Sequence, residues 1–579
     1  VWRPAFDVFK YKHNKRLKSS NFSELRNDVL SKLNQGKWNN TKWLRSIRRK
    51  IGSFMLYKTY MTGGKIYQLH KRVKFTEFKK YLGINDTNRI IGYTPDYIGP
   101  TVSKIVNARN YVAEFLYKRS STLKDALSRY CFEDFITSAN EERVVFSAGY
   151  TTSLAHLKEY LKDNTTESIW TVKSILKVLA KSNFKWFASA VVEFNDGEEL
   201  FTAVKSNPDA YAGHYTSMLF GSKKKFSDFA SRSIAFNIWS LLKTEPVKNR
   251  YLWSILGREK DIKIDTKSNK EVGTRVVLTC ESPMTILLCW FAQKISYIVA
   301  NDKNWDCNFN ITGNFDSKKY RKLIDNSYNY DFALEADWTY YDSNIDSNFL
   351  LVAGLLICNG FKKNKLHRNI RYLIISSIIT KYIALPPGVV VELNRAQPSG
   401  HPFGTLVNCY VNLIYWSIIG QKIYGDNYAD YMEVEVYGDD TRAYFKDHPN
   451  LVNINKYVEE CGLKSDDLLP NFRSIHELSN PNKDIDFLKR RFDYTGIRWN
   501  HKKMFDKLLY QSKNRSLNDQ FLMVKSWYES VPTDDDAKII LYEFSKYIKT
   551  EYSDQLNYDN LVSINKILES RGDTVNNIS

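Results

Sequence analysis

Cysteine is scarce in this chain and scattered where it occurs. The seven, Cys131, Cys280, Cys289, Cys307, Cys358, Cys409 and Cys461, form no Cys-x2-Cys pair and stand near no histidine array. A disulfide framework and a zinc site are therefore unsupported, and a reducing, intracellular setting is expected. Long apolar runs are missing too. The longest, Phe349 to Cys358, is too short to cross a bilayer, and no signal peptide is recognisable. No repeat or low-complexity linker divides the chain. It opens on Val1, which suits release from a polyprotein as well as a chain whose first residues lie upstream.

Acidic residues are outnumbered. Lys+Arg 84 against Asp+Glu 64 gives a formal charge of +20 and a pI near 9.3, which favours a polyanionic partner. General solubility charge is the plainer explanation, and the clustering of the basic residues argues against it. Aromatic residues make up 14%, with 38 Tyr, and supply stacking surface for unpaired bases as well as core. At 579 residues the chain is too long for one simple core and suggests subdomains around one centre.

Three short segments carry the chemistry. In Tyr330 to Asp337 the apolar Phe332, Leu334 and Ala336 alternate with charged or small residues, the period of a half-buried strand. Asp337 emerges at its end, and Asp342 falls on the following turn. Met432, Val434 and Val436 alternate likewise before Tyr437-Gly438-Asp439-Asp440, and Ala443-Tyr444-Phe445 returns as a second strand. Such a hairpin holds turn carboxylates rigidly and leaves one side open. Between the two lie Pro398-Ser399-Gly400 and then Asn408, read as a tight turn leading a helix, with a capping hydroxyl as its simplest role.

Carboxylates at two strand ends suit paired Mg²⁺ ions, hard cations that take oxygen ligands and keep several waters, with Mn²⁺ as a substitute. Two such ions loosen the proton of an attacking hydroxyl and neutralise a leaving phosphate. Asp337 and Asp439 are the first choices as metal ligands, with Asp440 in support, and these three form the expected catalytic set. One Asp-x4-Asp or one Gly-Asp-Asp alone is more often a solvated turn. Their order here, each after a strand pattern and with the Ser-Gly element between, favours the chemical reading.

Taken in that order, the segments resemble the motifs of viral RNA-dependent RNA polymerases. Asp337 to Asp342 is similar to motif A, Ser399-Gly400 to Asn408 to motif B, and Tyr437 to Asp440 to motif C. Asp486-Phe487-Leu488-Lys489-Arg490-Arg491-Phe492 resembles the motif E strand of picornavirus-like enzymes. Gly273-Thr274-Arg275-Val276-Val277 resembles motif F of the partitivirus and picobirnavirus branch. Asn207 to Gly213, with Gly221-Ser222-Lys223-Lys224-Lys225, looks like motif G at a template entrance. The resemblance covers roughly residues 200 to 500 and fits best the picornavirus-like supergroup, which includes double-stranded RNA viruses.

The resemblance implies an α+β right-hand polymerase with fingers, palm and thumb, its antiparallel palm sheet flanked by helices. It implies RNA synthesis on an RNA template from ribonucleoside triphosphates, in replication and transcription of a viral genome. Template and product RNA are the implied partners, with a capsid protein added for a double-stranded genome. The implied setting is the host cytoplasm, in replication complexes or within the virion. Asp342, Ser399 and Asn408 match the positions that read the ribose 2′-hydroxyl, by which RNA is told from DNA. Gly400 belongs to the same nucleotide-binding element. Gly404 stands where the family usually has threonine, so either the helix is expected to shift slightly or Thr405 beside it to substitute.

Arg258, Lys260, Lys263, Lys267, Lys270 and Arg275 crowd the stretch before motif A. Arg275 and Arg258 are expected on the incoming triphosphate, since Arg grips phosphate through a planar fork. For Lys267 and Lys270 a solvated face is the better reading. Lys223, Lys224, Lys225, Lys489 and Arg490 are expected on template or primer RNA. Lys464, Arg473 and Lys483 all compete as the motif D general acid, and none is assigned.

Residues 1–95 read as a basic N-terminal extension bridging fingers and thumb, 96–330 as fingers, and 331–347 as palm with motif A. Residues 348–424 follow as a fingers insertion with motif B, 425–486 as palm with motifs C and D, and 487–579 as motif E and thumb. Helices are expected over Ser168 to Leu179 and over Asn560 to Ser570. Another starts at a Thr533 or Asp534 cap, with Ile540, Leu541, Phe544, Tyr547 and Ile548 on one face. The tail from Asn576 reads as disordered. Two rivals stand against the polymerase. Ser399-Gly400 with Asn408 argues against a reverse transcriptase or other palm nucleotidyltransferase, and the intact acids argue against a catalytically silent RNA-binding protein.

Overall fold

The computed structural model describes residues 90–93, 104–106, 108–109, 118–130, 143–146 and 150–161 and, with short breaks, 168–301, 325–475 and 490–570. The C-terminal tail and nearly all of the 1–95 extension lie outside them.

Two sheets organise the body. Five strands lie in the order Ile90–Tyr93, Val389–Leu393, Lys381–Leu385, Leu252–Arg258, Arg275–Cys280. All neighbours are antiparallel except Leu252–Arg258 and Lys381–Leu385, which run parallel. The second sheet is wholly antiparallel, in the order Met432–Tyr437, Asp440–Phe445, Phe332–Ala336, Phe472–Ser474. Met432–Tyr437 spans the residues whose alternation marked it as a strand. Phe332–Ala336 departs from the half-buried expectation: Ala333, Leu334, Glu335 and Ala336 are all buried. It is paired on both edges and covered on both faces, so period-2 alternation misjudged its environment.

Burial of Glu335 is matched by a cation. Arg442 stands opposite Glu335 on one side and opposite Glu435 on the other, and all three are buried. The Arg442–Glu335 ion pair spans 3.6 Å, and the guanidinium also lies 5.2 Å from the Tyr444 ring centroid. Three adjacent strands are thereby tied by one charged row.

The Gly404–Tyr424 helix runs through the centre of the larger core, buried on nearly every face. Its end is set by Gly425, whose φ of 74° is costly for other residues and whose N–H returns to the Gln421 carbonyl. Gly420 is required for packing, because a Cβ there would press on the Tyr428 ring at 2.6 Å. This core extends from Leu157 to Phe472. A second gathers Met504, Phe521, Trp527, Phe544 and Ile564.

The second core takes in Leu123, from a stretch that the sequence assigned to the fingers. Its helix, Ser121–Tyr130, packs on Asp535–Tyr552, and Ser120 Oγ donates to Glu543 Oε2 at 2.9 Å. Nothing in an amphipathic pattern names its partner, which is why this placement was not legible. The caps read more simply. Asp534, one of the two candidates, caps Asp535–Tyr552 by accepting from Ala537 N at 3.0 Å. Ile540, Leu541, Phe544 and Ile548 are buried on that helix, as the spacing required. Thr171 and Ser174 form a capping box, so the helix expected from Ser168 begins at Val172. The last helix is Tyr558–Glu569, capped by Asn557. Among the described residues no helix is long and apolar enough to cross a membrane.

Arg442→Met removes the cation facing two buried carboxylates. It should cost about 3–5 kcal/mol, the scale for breaking a buried ion pair from one side. Chemical denaturation measures this, and a loss below about 1 kcal/mol would show that the row contributes little.

Candidate active site

The two expected acid-bearing strands do meet. Ala336 pairs with Thr441 and Tyr437 with Asp440, so the next step along the strands sets Asp337 beside Asp440. Asp439 sits in the two-residue turn between the paired strands. Gly438 takes the first turn position with φ 65°, the left-handed conformation that such hairpins fill with glycine. Asp337 is exposed and Asp439 and Asp440 are half-exposed, so three oxygen donors border solvent on a rigid frame. That donor set fits Mg²⁺.

A tighter group of potential ligands lies elsewhere. Among the described residues, His501, Asp534 and Asp536 form the group whose three ligand atoms all fall within 4.8 Å of one another. Structure accounts for it. Asp534 caps a helix, also accepts from Trp499 N at 2.7 Å, and faces His501 Nε2 at 3.3 Å. The polymerase-like acids are spread more widely, on a strand end and a turn.

Asp342 and Asn408, far apart in sequence, are in contact. Asn408 Nδ2 donates to Asp342 Oδ1 at 2.7 Å. Asp342 was expected on a turn; it lies in a single helical turn, Tyr341–Asn344. Entry to that turn is through Tyr340, whose φ of 52° is strained for a bulky side chain. The Tyr340 ring lies 5.6 Å from that of His156, whose Nδ1 accepts from Val276 N at 2.9 Å. Tyr341 is buried and donates from its hydroxyl to the Asn408 carbonyl at 2.8 Å. Burial, with the charges of Tyr415, Asp439 and Asp342 adding, holds its phenol well above the ordinary value. It remains a neutral donor beneath the acids.

The Ser-Gly loop is pinned from several sides. Gln397 N donates to the Asp342 carbonyl at 2.7 Å and Ala396 N to the Ile345 carbonyl at 2.9 Å. Lys381 is fully buried and donates to the carbonyls of Ile378 and Ala396, closing a helix end onto the loop. Burial, then the Arg395 charge, lowers its pKa well below the usual lysine range. His401 stacks on Trp253, accepts from Phe403 N at 3.1 Å and meets Ser377 Oγ at 3.2 Å. Burial pushes its pKa down to about 3, so it is neutral.

Ser399 does not cap the helix; its hydroxyl donates to the Val276 carbonyl at 3.4 Å. The N-cap is Phe403, without a side-chain hydrogen bond. Gly400 lies so close to the Leu278 carbonyl that any Cβ would collide with it. Gly404 is buried one turn before Asn408, whereas Thr405, the expected substitute, is exposed.

The basic residues separate into different environments. Arg258 and Arg275 occupy paired positions at the end of one antiparallel ladder, which brings the two expected triphosphate contacts together along the backbone. Lys267, Lys270, Lys464, Lys483 and Lys489 lie outside the described residues. The Lys223–Lys225 triplet is split. Lys223 and Lys225 are exposed and each pairs with Asp209, at 3.1 and 3.2 Å, whereas Lys224 is buried and cannot line a template channel. Burial likewise lowers the Lys224 pKa. Arg490, also expected on RNA, is buried with its guanidinium 4.5 Å from the Trp499 ring centroid. Burial pulls its pKa down to about 10. Neither side chain is displayed as its charge suggested, because burial cannot be read from a charge run.

Two structural partners went unread in the sequence. Glu281, just after the Arg275–Cys280 strand, accepts from Tyr215 N at 2.9 Å, Thr216 N at 3.0 Å and Thr216 Oγ1 at 2.7 Å. It joins that strand to the glycine-lysine segment. Asn412 bonds to both acid-bearing segments. Its spacing of one helical turn from Asn408 was a usable signal.

Carboxylates at a strand end and in the facing hairpin turn, with the Asn408–Asp342 pair nearby, are an arrangement suited to template-directed nucleotidyl transfer. The sequence profile of the viral RNA-dependent RNA polymerase family matches residues 146–549, and the chain belongs to that family. No curated protein matches it. RNA and ribonucleoside triphosphates follow as its ligands; the expected capsid partner gains no support.

Burial pushes the Glu281 carboxyl up to about 7, against hydrogen bonds that favour its charged form. A raised folded-state pKa means the folded chain binds the proton more tightly. Stability therefore falls as pH rises from about 4.5 to about 7 and levels off above. Thermal melting of Glu281→Gln should show a shallower decline over that window than wild type. An unchanged slope would place the titration elsewhere.

Proposed function

We propose that this polymerase replicates and transcribes a viral RNA genome from ribonucleoside triphosphates at a centre holding two divalent ions, Mg²⁺ or Mn²⁺. The Asn408–Asp342 pair carries the reading. Asn408 spends its Nδ2 on Asp342, while its Oδ1 is buried with no hydrogen-bond partner. An orphaned acceptor beside catalytic carboxylates calls for a hydroxyl donor. A ribose 2′-hydroxyl supplies one and a deoxyribose does not.

In this reading the four-stranded sheet is the palm, the five-stranded sheet and the helices packed on it belong to the fingers, and the second core is the thumb. Asp337, Asp439 and Asp440 would hold the ions, which would supply positive charge to lower the pKa of the attacking 3′-hydroxyl and to offset charge on the leaving pyrophosphate. The protein's own contribution is position. Asp337 is presented from a strand paired on both edges and Asp439 from a glycine-led turn. Asp342 and Asn408 orient the sugar, and the rigid Ser399-Gly400 loop bounds the nucleotide. Arg275 and Arg258 meet the triphosphate from neighbouring backbone positions.

The test is elongation on an RNA template with Mg²⁺, with and without primer, offering ribonucleotides or deoxyribonucleotides. Ribonucleotide incorporation is expected. Asp439→Asn should keep the fold and RNA binding but abolish elongation, because a neutral amide anchors Mg²⁺ poorly. Near wild-type synthesis by that variant would sink the assignment. Asn408→Ala should reduce ribo- over deoxyribonucleotide preference by roughly tenfold, the scale of one buried hydrogen bond. Equal losses for both sugars would make Asn408 a helix-holding residue instead.

A further inference from the structure

Asn408, Asn412 and Trp416 follow at four-residue intervals on the Gly404–Tyr424 helix and so share a face. That face looks onto the seam between the acid-bearing strands. Asn412 is fully buried at its centre. Its Nδ2 donates to the carbonyls of Gly438 at 2.9 Å and Asp439 at 3.3 Å. Its Oδ1 accepts from Trp338 Nε1 at 3.2 Å and from Thr441 Oγ1 at 3.1 Å. Trp416 Nε1 reaches the same Thr441 hydroxyl at 3.3 Å, and Cys409 Sγ accepts from Gly438 N at 3.2 Å.

One amide thus holds the residue after Asp337, both residues of the Asp439 turn and the residue after Asp440. An amide alone offers two donors and an acceptor on one short planar group. A carboxylate in its place would oppose two carbonyls. An apolar side chain would leave the carbonyls and the indole N–H without their partner, at a cost larger than the bonds are worth in isolation.

We propose that Asn412 is a positioning residue for the catalytic carboxylates. Its amide fixes the separation between the Asp337 strand end and the Gly438-Asp439 turn, on which divalent-cation affinity depends. This rests on the reading of Asp337, Asp439 and Asp440 as the cation-binding set. A residue serving only the core would change melting temperature without changing how the folded protein binds a cation.

The experiment uses the full chain bound to template RNA and reads Mn²⁺ affinity by electron paramagnetic resonance, alongside the Mg²⁺ concentration for half-maximal elongation. Asn412→Ala should weaken Mn²⁺ binding about tenfold, as expected when a group orienting a metal ligand is lost. The Mg²⁺ requirement should rise in parallel, and template affinity should stay at the wild-type value. A folded Asn412→Ala protein with wild-type Mn²⁺ affinity overturns the proposal. If that variant does not fold, Trp338→Phe decides, because it removes only the indole donor. It should shift both readings the same way by a few-fold, on the scale of one hydrogen bond, and no shift overturns the proposal. Asp439→Asn separates the two levels. If it too binds Mn²⁺ as wild type, the carboxylate reading has failed; if it alone loses affinity, only the role of Asn412 has.

Discussion

Ala336 opposite Thr441 is the pairing on which the rest of the site is built. It puts the strand end that bears Asp337 beside the turn that bears Asp439. A slip of one residue would turn every side chain of Phe332–Ala336 to the other face. The slip is prevented twice over. Leu334 and Ala443 face each other in the buried interior, and Glu335 would lose its place opposite Arg442. Register, ion pair and burial all select the same arrangement, so the carboxylates are placed before any substrate arrives.

The central helix converts that frame into a site. Asn408 and Asn412 stand one turn apart and take different tasks, the first on Asp342 and the second on the carboxylate seam. The loop leading into the helix is equally constrained, by the Asp342 and Ile345 carbonyls, by Lys381 and by the backbone of the Arg275–Cys280 strand. Buried Lys381 and neutral His401 are costly to place there. Both are answered by backbone hydrogen bonds that hold the loop. In the proposed function that rigidity has a chemical use, since a nucleotide must be held within a fraction of an ångström for in-line attack.

Charge in this protein is sorted by burial rather than by sequence neighbourhood. Lys224 and Arg490 turn into the protein, while Lys223 and Lys225 meet Asp209 at the surface. Net charge of +20 remains a sound argument for a polyanionic ligand. The individual contacts it suggested were not equally sound, because the middle lysine of the triplet turns inward while its two neighbours share one carboxylate at the surface.

What the sequence alone determined was local. Alternation placed Met432–Tyr437, glycine marked the turn after it, Asp534 marked a helix start, and the ordered acids with Ser399-Gly400 and Asn408 marked the family. Each signal is carried within about one turn or one strand, where side-chain period and backbone preference act. Tertiary structure decided the rest: the unbroken burial of Ala333, Leu334, Glu335 and Ala336, the packing of Ser121–Tyr130 on the C-terminal helices, the loss of Lys224 and Arg490 from the surface, and the fourfold bonding of Asn412. These depend on which faces meet across long sequence separations. No local pattern records that, because a buried amide and an exposed one are the same residue until a partner is brought against them.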